Sequence, residues 1–175
     1  SEAEYNGHIE ELITDAKTSG VIALMTNATN LKTCQNDIAL TEKYPELVHS
    51  ALGIHPWNVN FLQETEVQDT IDFILQHKTQ VSAIGEIGLD NKYETTWDKQ
   101  TAVFDKMLHL AEQLNAPVII HSRGTTELIV EMLPSYRVKK VMLHWFSYHI
   151  TALAKAMDAR KFITEGPPAT YTNGI

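Results

Sequence analysis

Glu86 stands in a mostly apolar stretch, Val81 to Leu89, at a place where a strand buried on both faces should carry no charge. A buried, ionised carboxylate is costly unless it is paired, hydrogen-bonded or bound to a cation. Two later apolar runs also finish on residue types that ligate metals. Pro117-Val118-Ile119-Ile120 ends in His121, with Ser122 and Arg123 beyond it, and Val141-Met142-Leu143 ends in His144. A fourth run, Leu47 to Ile54, delivers His55 into the loop Pro56-Trp57-Asn58. A carboxylate with imidazoles suits Zn, Mn, Fe or Ni, and a cation so held can polarise an ester or a phosphodiester and activate water. Each residue also has a plainer reading. Glu86 could be half of a buried ion pair, His121 and His144 could be hydrogen-bonded core histidines, His55 could shape the turn before Pro56, and Arg123 could pair with a surface carboxylate. Their convergence at the ends of four strands favours a shared site.

The elements that must position these groups alternate. Ile9, Leu12, Ile13 and Ala16 have helical spacing, with Gly20 as the stop. Strands are expected over Val21 to Thr26, Leu47 to Ile54, the Glu86 stretch, Val118 to His121, Val141 to Phe146 and Phe162 to Thr164. Between them, helices are expected from Thr33 to Tyr44, through Val67, Ile71, Ile74 and Leu75, through Trp97, Thr101, Phe104, Leu108 and Ala111, from Thr126 to Leu133, and from Ile150 to Ala159. Near-continuous apolar strands alternating with amphipathic helices indicate an α/β fold with a parallel sheet. A doubly wound sheet competes with a (β/α) barrel. No G-x-G-x-x-G or G-x-x-x-x-G-K-[ST] is present, and several strands sending side chains from their C-terminal ends into one site is the habit of a barrel. An eight-stranded barrel needs about 250 residues. Six strands in 175 residues therefore lead to the expectation of a TIM-type barrel, one domain over residues 1–175, with its first and eighth strands missing from this sequence.

Composition narrows the class. Apolar and charged fractions are ordinary for a soluble globular unit, no run approaches the length of a membrane span, and the acidic start has no signal-peptide pattern, so a cytoplasmic location is expected. The single cysteine, Cys34, has no partner for a disulfide or a CxxC motif. A net charge of −8 argues against a broad electrostatic grip on nucleic acid, while leaving room for a small site that holds phosphate through a cation. His8, His49, His77, His109 and His149 lack a comparable setting and are read as surface or packing residues. Trp57, Trp97 and Trp145 are read most simply as core or loop packing, although Trp57 and Trp145, each beside a candidate site residue, could stack on a base.

The motifs Gly53-Ile54-His55-Pro56, Gly85-Glu86-Ile87-Gly88-Leu89-Asp90, Pro117-Val118-Ile119-Ile120-His121-Ser122-Arg123 and Leu143-His144-Trp145-Phe146-Ser147 together resemble the TatD family of metal-dependent deoxyribonucleases, within the wider amidohydrolase-like group of barrels. They occur in that family's order and at its approximate spacing. The family's H-x-H pair and its E-T-D segment have no counterpart in the 175 residues. The resemblance implies that one or two divalent cations (Mg, Mn or Zn) bind at Glu86, His121 and His144, and that Glu86 and His55 act in catalysis. It further implies that His55 and Arg123 contact a DNA phosphate, with cleavage near strand ends. Two other readings stay open: hydrolysis of a small ester, lactone or amide, and a non-catalytic or truncated barrel that keeps half a metal site.

Overall fold

Each strand pairs in parallel with the one before it in the chain, so that order in space repeats order in sequence. The computed structural model describes residues 7–92, 96–146, 154, 157 and 162–164. Within them the strands are β1 (Leu24–Asn27), β2 (Val48–Leu52), β3 (Val81–Gly88), β4 (Val118–His121), β5 (Val141–His144) and β6 (Phe162–Ile163). The helices are α1 (Ile9–Thr18), α2 (Leu31–Lys43), α3 (Glu64–Gln76), α4 (Trp97–Leu114) and α5 (Thr126–Met132). The parallel sheet curls into a half-barrel of the TIM type, as expected. Of the helix expected over residues 150–159, Ala154 and Met157 are helical, and the rest lies outside the described residues.

Several boundaries differ from the sequence reading by a few residues, and two of them have a clear local reason. Val21 does not begin a strand. Gly20, at φ +80°, closes α1: its N–H donates to the Lys17 carbonyl and that of Val21 to the Ala16 carbonyl. This left-handed C-terminal cap commits Val21 to the helix end, and pairing starts with Leu24, whose N–H donates to the Leu47 carbonyl. Strand β5 stops at His144 rather than Phe146, because Trp145 takes φ +48° and breaks the extended run. A short 3-10 helix, Pro56–Phe61, was not anticipated; Pro56 supplies the fixed φ of its first residue, and the His55 ring accepts the Trp57 N–H at its start.

Side-chain alternation divides the core between two faces. Leu52, Ile84, Ile120 and Leu143 are buried in one cluster with Ile74 from α3 and Phe104, Met107 and Leu108 from α4. Ala51, Ala83 and Ile119, joined by Met142, form a separate cluster on the opposite face. Burying side chains such as these favours folding by roughly 1.5–3 kcal/mol for each large one. The sheet so fixed directs the C-terminal ends of β2 to β5 toward one region.

Candidate metal centre

Glu86 lies two residues before the end of β3, and its N–H donates to the carbonyl of Ala28 (3.0 Å), in the turn after β1. Gly88 closes the strand at φ +144° opposite His121. A Cβ at position 88 would fall 2.0 Å from the His121 carbonyl oxygen, so only glycine lets β3 approach the end of β4 this closely. That approach brings the polar side chains of the two strands together. Glu86 Oε1 is 3.4 Å from His121 Nδ1 and 3.8 Å from His55 Nε2, while Oε2 is 3.0 Å from His144 Nδ1. The carboxylate thus stands between two imidazoles on one oxygen and a third on the other. Ligating atoms of His55, Glu86 and His121 all lie within 4.8 Å of one another.

A second carboxylate fixes the far side of His121. Asp90 is 1% exposed, and its Oδ2 accepts hydrogen bonds from His121 Nε2 (2.9 Å) and Trp57 Nε1 (2.7 Å), while Oδ1 accepts the Lys92 N–H. Gln100 of α4 clamps the Asp90 backbone, its Oε1 accepting the Asp90 N–H (2.9 Å) and its Nε2 donating to the Asp90 carbonyl (3.1 Å). The arrangement is a carboxylate holding the outer ring nitrogen of a histidine so that the inner one faces the site. Nothing in the sequence reading singled out Asp90 or Gln100. The available signal was that Asp90 closes the motif that begins at Gly85.

The electrostatics follow from these contacts. Glu86 is 8% exposed, and burial alone would push its carboxyl upward. Hydrogen bonds from His121 and His144, with the charges of His144 and His55, outweigh that and hold it at about 2. Burial likewise works against an ionised Asp90, yet the bonds from Trp57, His121 and the Lys92 amide keep it below the usual carboxylate range. His121 shows the reverse balance: burial disfavours its cation, but Glu86 and Asp90 on its two sides raise its pKa above the ordinary value. His55, 6% exposed, is brought down to about 4 by burial and by the neighbouring His121 charge. It is a neutral imidazole. Because its Nδ1 accepts the Trp57 N–H at 3.2 Å, its proton sits on Nε2, the nitrogen facing Glu86.

All five residues singled out from the sequence border one cleft of about 670 Å³: His55, Glu86, His121, Arg123 and His144, with Thr29, Asn58 and Ser122 among its walls. Arg123 reaches it from a turn rather than from a strand. Strand β4 ends at His121, and Arg123 sits in the exposed turn that leads into α5, closed by the Thr125 N–H donating to the Ser122 carbonyl (3.0 Å). Trp57 and Trp145 are not core residues; they line the same cleft, 42% and 56% exposed. Of the histidines set aside, His8 and His109 pair with surface carboxylates and His77 stacks on Phe73, whereas His149 lies outside the described residues. An ionised carboxylate flanked by three imidazoles, one of them backed by an aspartate, has the donor chemistry of a divalent-cation site.

Comparison with known proteins shows the family of the chain. The model of the TatD related DNase family matches residues 1–174. The human deoxyribonuclease TATDN3 is 25% identical over 99% of this chain and 67% of its own length. The 3'-5' ssDNA/RNA exonuclease TatD of Escherichia fergusonii is 31% identical over 79% of this chain and 53% of its own. The crystal structure of YJJV, a TatD homolog from Escherichia coli K12, superposes with a TM-score of 0.87 at 26% identity, covering 95% of this chain and 65% of that one. The chain therefore spans between about half and two thirds of the length of these relatives. Matched by its family model almost from end to end, the chain belongs to the TatD related DNases, a family of metal-dependent hydrolases.

Proposed function

We propose that the cleft hydrolyses phosphodiester bonds of DNA, working from a strand end. The observation that carries this reading is the position of Glu86, ionised and buried, with His121 and His55 at one oxygen and His144 at the other, on the floor of an open cleft that Arg123 borders. Glu86, His121 and His144 would hold one or two divalent cations, with Mg, Mn and Zn as the candidates. When bound, such a cation supplies Lewis-acid polarisation of a phosphodiester and brings the pKa of a water into the neutral range.

The remaining roles belong to the chain's own side chains. His55, neutral and with its proton on Nε2, donates a hydrogen bond into the cleft, toward a phosphate oxygen rather than toward a cation. Arg123 presents a guanidinium suited to the remaining phosphate oxygens. Asp90 keeps the His121 ring turned so that Nδ1 faces Glu86. Attack near strand ends draws support from the E. fergusonii relative, whose name is that of a 3'-5' exonuclease.

The test is cation-stimulated cleavage of an end-labelled single-stranded oligonucleotide by the whole protein, with His121→Ala and His144→Ala variants checked for folding by far-UV circular dichroism. Cleavage lost in both variants, with products shortened one nucleotide at a time, is the expected result. Undiminished cleavage by folded variants would remove these residues from the reaction. Hydrolysis of p-nitrophenyl acetate without cleavage of DNA would reassign the site to small esters.

A further inference from the structure

We infer that Trp57 and Trp145 are base platforms: each indole stacks a nucleobase on one side of the phosphate bound at Glu86, so that the cleft takes unstacked, single-stranded nucleotides. This rests on the phosphodiesterase reading above and specifies how that substrate is gripped. Large exposed aromatics beside a polar site call for an explanation, since an indole left in water forgoes the gain of burial. Trp57 is 42% exposed and Trp145 is 56% exposed, and both border the cleft that holds the imidazoles.

The two indoles reach the site from different strands. Trp57 follows β2 and Trp145 follows β5, with β3 (Glu86) and β4 (His121) between them in the sheet. The Trp57 indole reaches over the ends of β3 and β4, and Trp145 stands directly after β5. Both indoles border the cleft that holds Glu86, so each is within reach of a nucleotide next to a phosphate bound there. Trp57 is held in place by its Nε1 bond to Asp90, and its ring lies edge-on to His55 (4.8 Å) and His121 (5.7 Å). Trp145 is set by the turn at φ +48°, its N–H donating to Thr164 Oγ1 at 3.1 Å, with its ring 5.9 Å from that of His144.

Charge points the same way. A chain of net charge −8 whose cleft is bordered by Arg123 as its cationic residue, among the described residues, cannot rely on the many phosphate contacts that drive most nucleic-acid binding. Stacking needs no net charge and tolerates any base, and can supply the affinity instead.

The experiment compares binding of two fluorescein-labelled, phosphorothioate-linked hexamers, one hexathymidylate and one abasic, by fluorescence anisotropy in Mg. The parent should prefer the thymidylate by about ten- to hundredfold. Trp145→Ala should lose about tenfold on the thymidylate and little on the abasic strand, with Trp145→Phe recovering most of it. Trp57→Phe, which keeps a ring but drops the N–H to Asp90, should retain the preference for bases. Equal affinity of the parent for both strands, or an equal loss on both in Trp145→Ala, overturns the proposal. Hydrolysis of bis(p-nitrophenyl) phosphate by the parent separates the two readings. Turnover of that baseless diester with no base preference defeats the platforms alone, whereas no turnover and no binding of either strand defeats the phosphodiesterase reading as well.

Discussion

His121 Nε2 and Asp90 Oδ2 meet at 2.9 Å, joining the last residue of β4 to the residue that follows β3 by two positions. The bond decides which ring nitrogen faces Glu86, and so makes Asp90 part of the site without touching what binds there.

Replacing that acceptor should therefore weaken cation binding while leaving the ligands in place. Asp90→Asn is expected to lower divalent-cation affinity by about ten- to hundredfold, by isothermal titration calorimetry, in a protein with native circular dichroism. Parent-like affinity would show that His121 needs no such support.

Cation binding should also release a proton. Glu86, held at about 2, is already ionised at neutral pH, but His121 has a raised pKa and must lose its proton to become a ligand. Apparent affinity should climb with pH from 6.5 upward and level off above the raised His121 value. Calorimetry in buffers of different ionisation enthalpy measures the proton count directly; a count of zero at pH 6.5 contradicts this account of His121.

The cation-free protein should lose stability toward acid in two stages. The folded state keeps His55 neutral down to about 4, whereas the unfolded chain takes up that proton near 6.5. The unfolded state thus binds more protons between these values, and stability falls as pH drops through that window, by on the order of 3 kcal/mol. Glu86 adds a second loss between about 4.5 and about 2. His121 acts in the opposite sense: its contribution is complete below 6.5 and disappears as pH rises through its raised folded value. Urea midpoints in chelator at a series of pH values should trace this shape, and His55→Gln should flatten the stage between 6.5 and 4.

Gly88→Ala should be costly out of proportion to one methyl group. The added carbon would lie 2.0 Å from the His121 carbonyl, at a φ that other residues rarely adopt. A destabilisation of about 2–4 kcal/mol is expected from thermal or urea unfolding, together with weaker cation binding as β4 shifts away from β3. Equal stability would mean that the close approach of the strands is not maintained in solution.

The strands and the candidate site residues at or near their ends were legible because each is a short apolar run interrupted or ended by a polar residue, a pattern written within about eight residues. Glu86, His121 and His144 each announced themselves in this way, and chain order carried over directly into sheet order. The Asp90 network was not legible, since Trp57, Gln100 and His121 reach Asp90 from three separate elements and no local spacing encodes their meeting. Val21 misled for a complementary reason: its side chain favours a strand, but its N–H was already committed to the end of α1. Arg123 borders the cleft from the turn after β4, a position that no apolar run marks.

The identity of spatial and chain order has a bearing on synthesis. A strand that pairs only with its predecessor can dock as soon as it leaves the ribosome, so the sheet can grow one strand-helix unit at a time. Glu86 then arrives 35 residues before His121 and 58 before His144, its charge waiting for the imidazoles that stabilise it. During that interval the nascent inner face must stay wet around the carboxylate, which meets the His144 imidazole only when β5 is laid down.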